Sequence, residues 1–190
     1  MGSSRDLGFE KNRGKTNNFN AGTRRKNRHY HSNFQSTLMK TFKKIVYWSL
    51  IIFAIIQFIP VNRTLKPVSQ KENFVTVFNT PKNVQQILKK ACYDCHSNET
   101  VYPKYAYVAP ISWSVQHHIN EGREHLNFSE WGKFNSDLKR NMLENSINAV
   151  KDYSMPFPGY VAQHPEANLT KAERVLLVNY FEEILKSGKY

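Results

Sequence analysis

Apolar residues along this chain fall into one dense block and several periodic runs, and both patterns predict helices. The dense block, Ile45 to Ile59 (IVYWSLIIFAIIQFI), contains no charged residue. At 1.5 Å per residue it spans about 22 Å, short of a hydrocarbon layer of about 30 Å. Lengthened to residues 42–61, with Lys43, Lys44 and Arg63 reaching to the head groups, it becomes a predicted transmembrane anchor. A cleaved signal peptide competes with that reading, but Ile59-Pro60-Val61-Asn62 offers no small-x-small cleavage site. Neither cysteine lies near enough to carry a lipid anchor.

Residues 62–79 carry mixed charge and Pro67, which predicts a polar tether. The periodic runs begin after it. Thr80 and Pro81 read as N-cap and first position of a helix carried by Val84, Ile87, Leu88 and Ala91. Pro110 opens a second helix with Ile111, Val115, His118 and Ile119 on one face, until Gly122 weakens it. A third runs over 134–150 with Leu138, Met142, Leu143, Ile147 and Val150 inward. Thr170 and Glu173 form a capping box for a last helix, carried by Leu177, Phe181 and Ile184 and stopped near Gly188. No strand pattern of any length appears. The expected fold is therefore all-α: a small helical domain over residues 80–190 behind one N-terminal transmembrane helix.

Charge is unevenly spread. Of the formal +12, residues 1–44 contribute +9, with 11 Lys and Arg against 2 acids. Residues 1–38 are rich in Asn, Gly, Ser, Lys and Arg without apolar periodicity, which predicts a disordered basic tail. Aromatic residues concentrate outside that tail, so no nucleic-acid partner is expected. The stretch MKTFKKIVYW from Met39 looks like a natural start of a membrane protein, which leaves the start open between Met1 and Met39. Lys40, Lys43 and Lys44 precede the apolar block and only Arg63 and Lys66 follow closely. The positive side stays in the cytoplasm, which predicts a single-pass protein of the inner membrane with residue 62 onward on the periplasmic side.

The only two cysteines stand in Cys92-Tyr93-Asp94-Cys95-His96, a CxxCH element and the attachment signature of a c-type haem. Two thiols about one helical turn apart can each form a thioether with a porphyrin vinyl group. His96 is then poised to ligate iron through a neutral imidazole nitrogen. One covalent haem c per chain is expected. A thioredoxin-like redox pair lacks the preceding strand or βαβ pattern. Half of a zinc site lacks a second ligand pair at suitable spacing.

Met155-Pro156-Phe157-Pro158 is the second informative stretch. Its prolines remove two backbone donors and fix φ, predicting a stiff extended loop rather than a helix. Such a loop can hold a thioether against a metal, which makes Met155 the expected sixth ligand. Met1 and Met39 lie outside the domain, and Met142 is explained as core. His118 is the alternative distal ligand, against the plainer reading of a histidine at a core edge. His117, His125 and His164 have polar or turn-forming neighbours and rank below it.

Those residues resemble the small haem-binding domain family of bacterial envelope proteins, related to cytochrome c. The resemblance covers about residues 83–187, through CYDCHSNET, YPKYAYVAPISW, HINEGREHLNFSEW and MPFPGYVAQHPEANLTKAER. It implies a cytochrome c-like fold with covalent haem at Cys92 and Cys95, His96 axial and Met155 distal. Lys104 stands where many members carry Trp, which implies a more exposed haem here. The expected function is a membrane-anchored monohaem cytochrome passing electrons to redox partner proteins of the cell envelope, a carrier rather than a catalyst. Two alternatives stay open: a gas sensor or peroxide-reducing haem protein with an open distal site, and a thiol-disulfide oxidoreductase.

Overall fold

The computed structural model describes the backbone of residues 17–190 and the side chains of residues 37–190. Every regular element among the described residues is helical, as the periodicity predicts. The chain divides into two units, residues 1–55 and 56–190.

The first unit is the long helix α1, Asn17–Ile56. Residues 17–38, expected to be disordered, are helical as far as their backbone is described; residues 1–16 of that tail lie outside the described residues. Helix geometry satisfies its own backbone polar groups and does not require apolar burial, so low hydrophobicity alone does not exclude it. The helix also stops earlier than the anchor reading needs. Pro60 has no N–H to give to Ile56 and biases Ile59 away from helical geometry, so α1 ends at Ile56 in a turn closed by Ile59 N–H and the Ile56 carbonyl. The uncharged helical part, residues 45–56, is then only about 18 Å long. Among the described residues no helix is long and apolar enough to cross a membrane.

The second unit holds the core and contains seven α-helices. After α2 (Phe74–Val77) come α3 (Lys82–Ala91), the single turn α4 (Tyr93–His96) and α5 (Ile111–His125). They are followed by α6 (Ser136–Lys151), α7 (Pro158–Gln163) and α8 (Lys171–Ser187). The periodic faces are inward as expected: Val84, Ile87, Leu88 and Ala91 of α3, Met142, Leu143, Ile147 and Val150 of α6, and Leu177, Phe181 and Ile184 of α8 are buried. Leu138 is 40% exposed, because it lies in the first turn of α6, where Asn135 caps the helix at the protein edge, and on the expected face of α5 only Ile119 is buried, with Ile111 50% exposed. The capping box of Thr170 and Glu173 and the left-handed stop at Gly188 (φ 62°) are both present.

The tether reading fails at its C-terminal end. Phe74 is fully buried and sits edge-on to Trp131 (5.0 Å) and Phe128 (5.1 Å). Residues 128–133 form a 3₁₀ segment that supplies both partners. Thr80 does not cap α3, which starts one residue later behind Pro81; its hydroxyl pairs instead with that of Tyr180 at 2.8 Å. Phe74 meets the two buried rings of Phe128 and Trp131 edge-on, at interplanar angles of 69° and 89°, an arrangement that adds to its burial. Phe74→Ala is expected to cost about 3–5 kcal/mol in urea unfolding. Leu138→Ala, at a half-open site, should cost less than about 1 kcal/mol. Similar losses for the two would contradict the placement of Phe74 in the core.

Candidate functional site

Helix α3 delivers Cys92, whose N–H closes on Leu88 (2.9 Å), and the chain then makes the one turn of α4, closed by His96 N–H to the Cys92 carbonyl at 2.8 Å. One turn is too short to be stable alone. The two residues between the cysteines hold it from opposite sides. Tyr93 is buried and stacks on Phe128 at 5.4 Å. Asp94 accepts from the backbone of Val101 (2.9 Å) and from the Tyr160 hydroxyl (2.7 Å), while its carbonyl accepts from Thr100 (2.6 Å). Arg123 of α5 ties down the following loop through the Ser97 carbonyl and the Thr100 hydroxyl, each at 2.8 Å.

His96 is fixed as tightly. Its Nδ1 faces two carbonyl oxygens, Gly122 at 2.8 Å and Leu126 at 3.2 Å. Carbonyls only accept, so Nδ1 must carry the proton and Nε2 the lone pair. Burial lowers the His96 pKa, with the two carbonyl bonds opposing, so the ring is neutral near pH 7. Nε2 has no hydrogen-bond partner among the described residues, and His96 lines a cavity. That is a donor atom ready for a metal, with its tautomer set from behind.

The cavity has a volume of about 830 Å³, within the range of sites for cofactor-sized ligands. Cys92, Cys95 and His96 lie along it, with apolar walls from Ile119, Leu126, Phe128, Leu177 and Phe181. Met155 also lines it, 38% exposed. The cysteines are free thiols, backed by protein and open to the cavity. Burial, with Cys95 adding to it, pushes the Cys92 thiol up to about 12. Burial and Asp94 push Cys95 up to about 11, against a lowering by Arg123. A dithiol-exchange pair needs the opposite shift. Among the described residues no group of three or more His, Cys, Asp or Glu could hold a metal, so the zinc reading finds no further ligands.

The structure thus gathers all five candidate residues, Cys92, Cys95, His96, Met155 and His118, around one cavity. His118 lies against Phe157 (5.0 Å between ring centres), with Nδ1 3.7 Å from Glu121. His125 and His164 line the cavity too. Both nitrogens of His164 are engaged, Nε2 by the Tyr105 hydroxyl (2.7 Å) and Nδ1 by Glu166 (3.1 Å). His117 stays outside, paired with Glu121. Lys104 is exposed and does not line the cavity. The Met-Pro stretch bends at Met155 and Pro156 instead of running extended, and it ends at Phe157; Pro158 then takes the first position of α7, where a missing N–H costs nothing.

Sequence reasoning missed Gly122 and Arg174. Gly122 does not end α5, which continues to His125; it lets α5 lie against α4. A Cβ there would stand 2.7 Å from the Cys95 carbonyl oxygen. Arg174 stands in the inward series with Leu177, Val178 and Phe181 and is 8% exposed, donating to the carbonyls of Val150 (2.9 Å) and Met155 (2.7 Å). A charge in an apolar helical stripe is the signal that could have found it.

Helix propensity alone would favour Gly122→Ala by about 1 kcal/mol. The clash with rigid backbone should outweigh that, for a net loss of about 1–2 kcal/mol in denaturant unfolding; a gain in stability would contradict the close approach. The chain was compared with known proteins. No curated protein and no solved structure matches it. A family model described as a haem-binding domain matches residues 51–183, a span that includes every residue lining the cavity. With an apolar cavity of cofactor size, two thiols and a lone-pair nitrogen along its wall, the residues present fit that group, and the chain belongs to the haem-binding domain family.

Proposed function

We propose that the domain holds one covalent c-type haem and works as a single-electron carrier. Cys92 and Cys95 would form the thioethers, and His96 through Nε2 and Met155 through its sulfur would hold the iron. The observation that carries this reading is the His96 imidazole, whose Nδ1–H donates to two carbonyl oxygens and so leaves the Nε2 lone pair free, in a ring that lines the same cavity as both thiols. Bound there, haem supplies one-electron iron chemistry. The chain's own residues do the rest. Gly122 and Leu126 hold the histidine tautomer, and the apolar walls exclude water. A thioether ligand from Met155 would favour the ferrous state and raise the potential.

With both His96 and Met155 holding the iron, no position would be left for a substrate, which would favour a carrier over a catalyst. The second reading, an open distal site for a small gas or peroxide, draws on one observation: Met155 is more than a third exposed, and His118 lines the same cavity. The thiol-disulfide reading is disfavoured by the raised pKa values of both cysteines.

Membrane attachment belongs to the proposal as well. It is supported by the uncharged run to Ile59, by the exposed Leu50, Ile52, Ile55 and Phe58, and by Lys40, Lys43 and Lys44 ahead of them. A helix this short would need snorkelling lysines and local bilayer thinning. The lysines would keep the N-terminus cytoplasmic and the domain periplasmic, beside redox partners of the envelope. Tethering would raise the effective concentration of the domain near those partners.

Met155→Ala tests the ligand set. Its potential is expected to fall by about a tenth of a volt or more, within the roughly 0.8 V over which axial ligands set haem potentials. The ferrous protein should also gain carbon monoxide binding. Redox titration and optical spectra read both, and an unchanged potential and reduced spectrum would remove Met155 from the iron.

A further inference from the structure

A buried arginine with no acid beside it calls for an explanation, since a charge removed from water without compensation is costly. Arg174 is such a group. It sits on the inward face of α8 and makes no salt bridge among the described residues. Its Nε is buried without a hydrogen-bond partner. What it does contact is the entrance to the Met155 loop. One terminal nitrogen donates to both the Val150 carbonyl (2.9 Å) and the Met155 carbonyl (2.7 Å), and the guanidinium lies 4.2 Å over the ring of Tyr153.

Those contacts fall on a backbone that needs holding. Helix α6 ends at Lys151, and Tyr153 turns the chain with φ 64°, in the left-handed region that a bulky residue rarely adopts. Capping the end of α6 would need only the bond to Val150. The second bond, to Met155, is not explained by a helix cap. Met155 is held from the other side as well, its N–H bonded to Ala149 at 3.0 Å, and Pro156 follows. With N–H and C=O both committed, the two soft dihedrals of Met155 are fixed, and so is the direction in which its side chain leaves the backbone.

We propose that Arg174 is the positioning residue of the Met155 loop: by bridging the Val150 and Met155 carbonyls it fixes the loop so that the Met155 thioether is presented to the cavity. This rests on the reading of Met155 as an iron ligand. Arg174 acts through Met155 and has no contact with the cofactor in the proposal. The bridge is made by the two hydrogens of one terminal nitrogen, and the guanidinium plane stacked over the Tyr153 ring aims them at the two carbonyls. A lysine would keep the charge without that stacked plane to aim it.

The experiment uses the full chain loaded with haem in a maturation-competent host, as wild type, Met155→Ala, Arg174→Lys, Arg174→Met and the Met155→Ala/Arg174→Met double variant. Ferrous carbon monoxide association and midpoint potential are read on each, with haem retention after denaturation as a check on loading. Both Arg174 variants should bind carbon monoxide at least tenfold faster than wild type and shift in potential toward Met155→Ala. The double variant should match Met155→Ala, because the arginine has nothing left to position. Wild-type rates in both Arg174 variants beside a fast Met155→Ala would overturn the positioning role and leave the ligand reading intact. A shift in Arg174→Met alone, with Arg174→Lys like wild type, would assign the effect to charge and overturn the bridge. An unchanged Met155→Ala would remove the ligand reading and the proposal with it. Arg174→Lys preserves the charge and most of the volume, and decides the matter if Arg174→Met does not fold.

Discussion

The site depends on the contact between the one-turn helix α4 and helix α5. Where they meet, the carbonyls of Gly122 and Leu126 take the Nδ1 proton of His96, and that single constraint sets the tautomer, the ring orientation and the direction of the free nitrogen. The contact is possible because position 122 has no side chain; any Cβ would enter the Cys95 carbonyl. A turn of four residues cannot hold a histidine in place by itself. It is held from the core by Tyr93 on Phe128 and from the far side by Asp94, which joins it to Tyr160 of α7.

The part of the cavity lining that carries Met155 follows another logic. It has no regular element where Met155 stands, so its rigidity comes from prolines and from backbone groups tied outward to α6 and α8. The Tyr160–Asp94 hydrogen bond then links this wall to the CxxCH turn, and the stacking of Tyr160 on His164 (4.4 Å between ring centres) extends it toward Tyr105. The two walls are therefore tied directly to each other. A cavity built this way can keep its shape while its mouth stays open to solvent.

Much of this was legible in the sequence because it is local or periodic. The CxxCH spacing, the inward series of α3, α6 and α8, the Thr170–Glu173 box and the stop at Gly188 each follow from residues within a turn or two of one another. What was hidden depends on distant partners. Phe74 carries no periodicity, lying in a four-residue helix, and its burial is decided by Phe128 and Trp131 more than fifty residues on. Gly122 reads as a helix weakener until α4 is seen against it. The carbonyl partners of His96 are backbone atoms, which no side-chain pattern can announce. Pro158 reads as a breaker, yet at a first helical position the same missing N–H makes it a starter.

The thiols carry the sharpest chemical consequence. Burial holds both well above neutral pH, the reverse of what a dithiol-exchange pair needs, and both line the same cavity as His96. The most direct measurement is the intact mass of denatured protein purified from a host with working cytochrome maturation. The account predicts the chain plus one haem, with no titratable thiol. A mass equal to the bare chain, with two free thiols or a disulfide between Cys92 and Cys95, would contradict it.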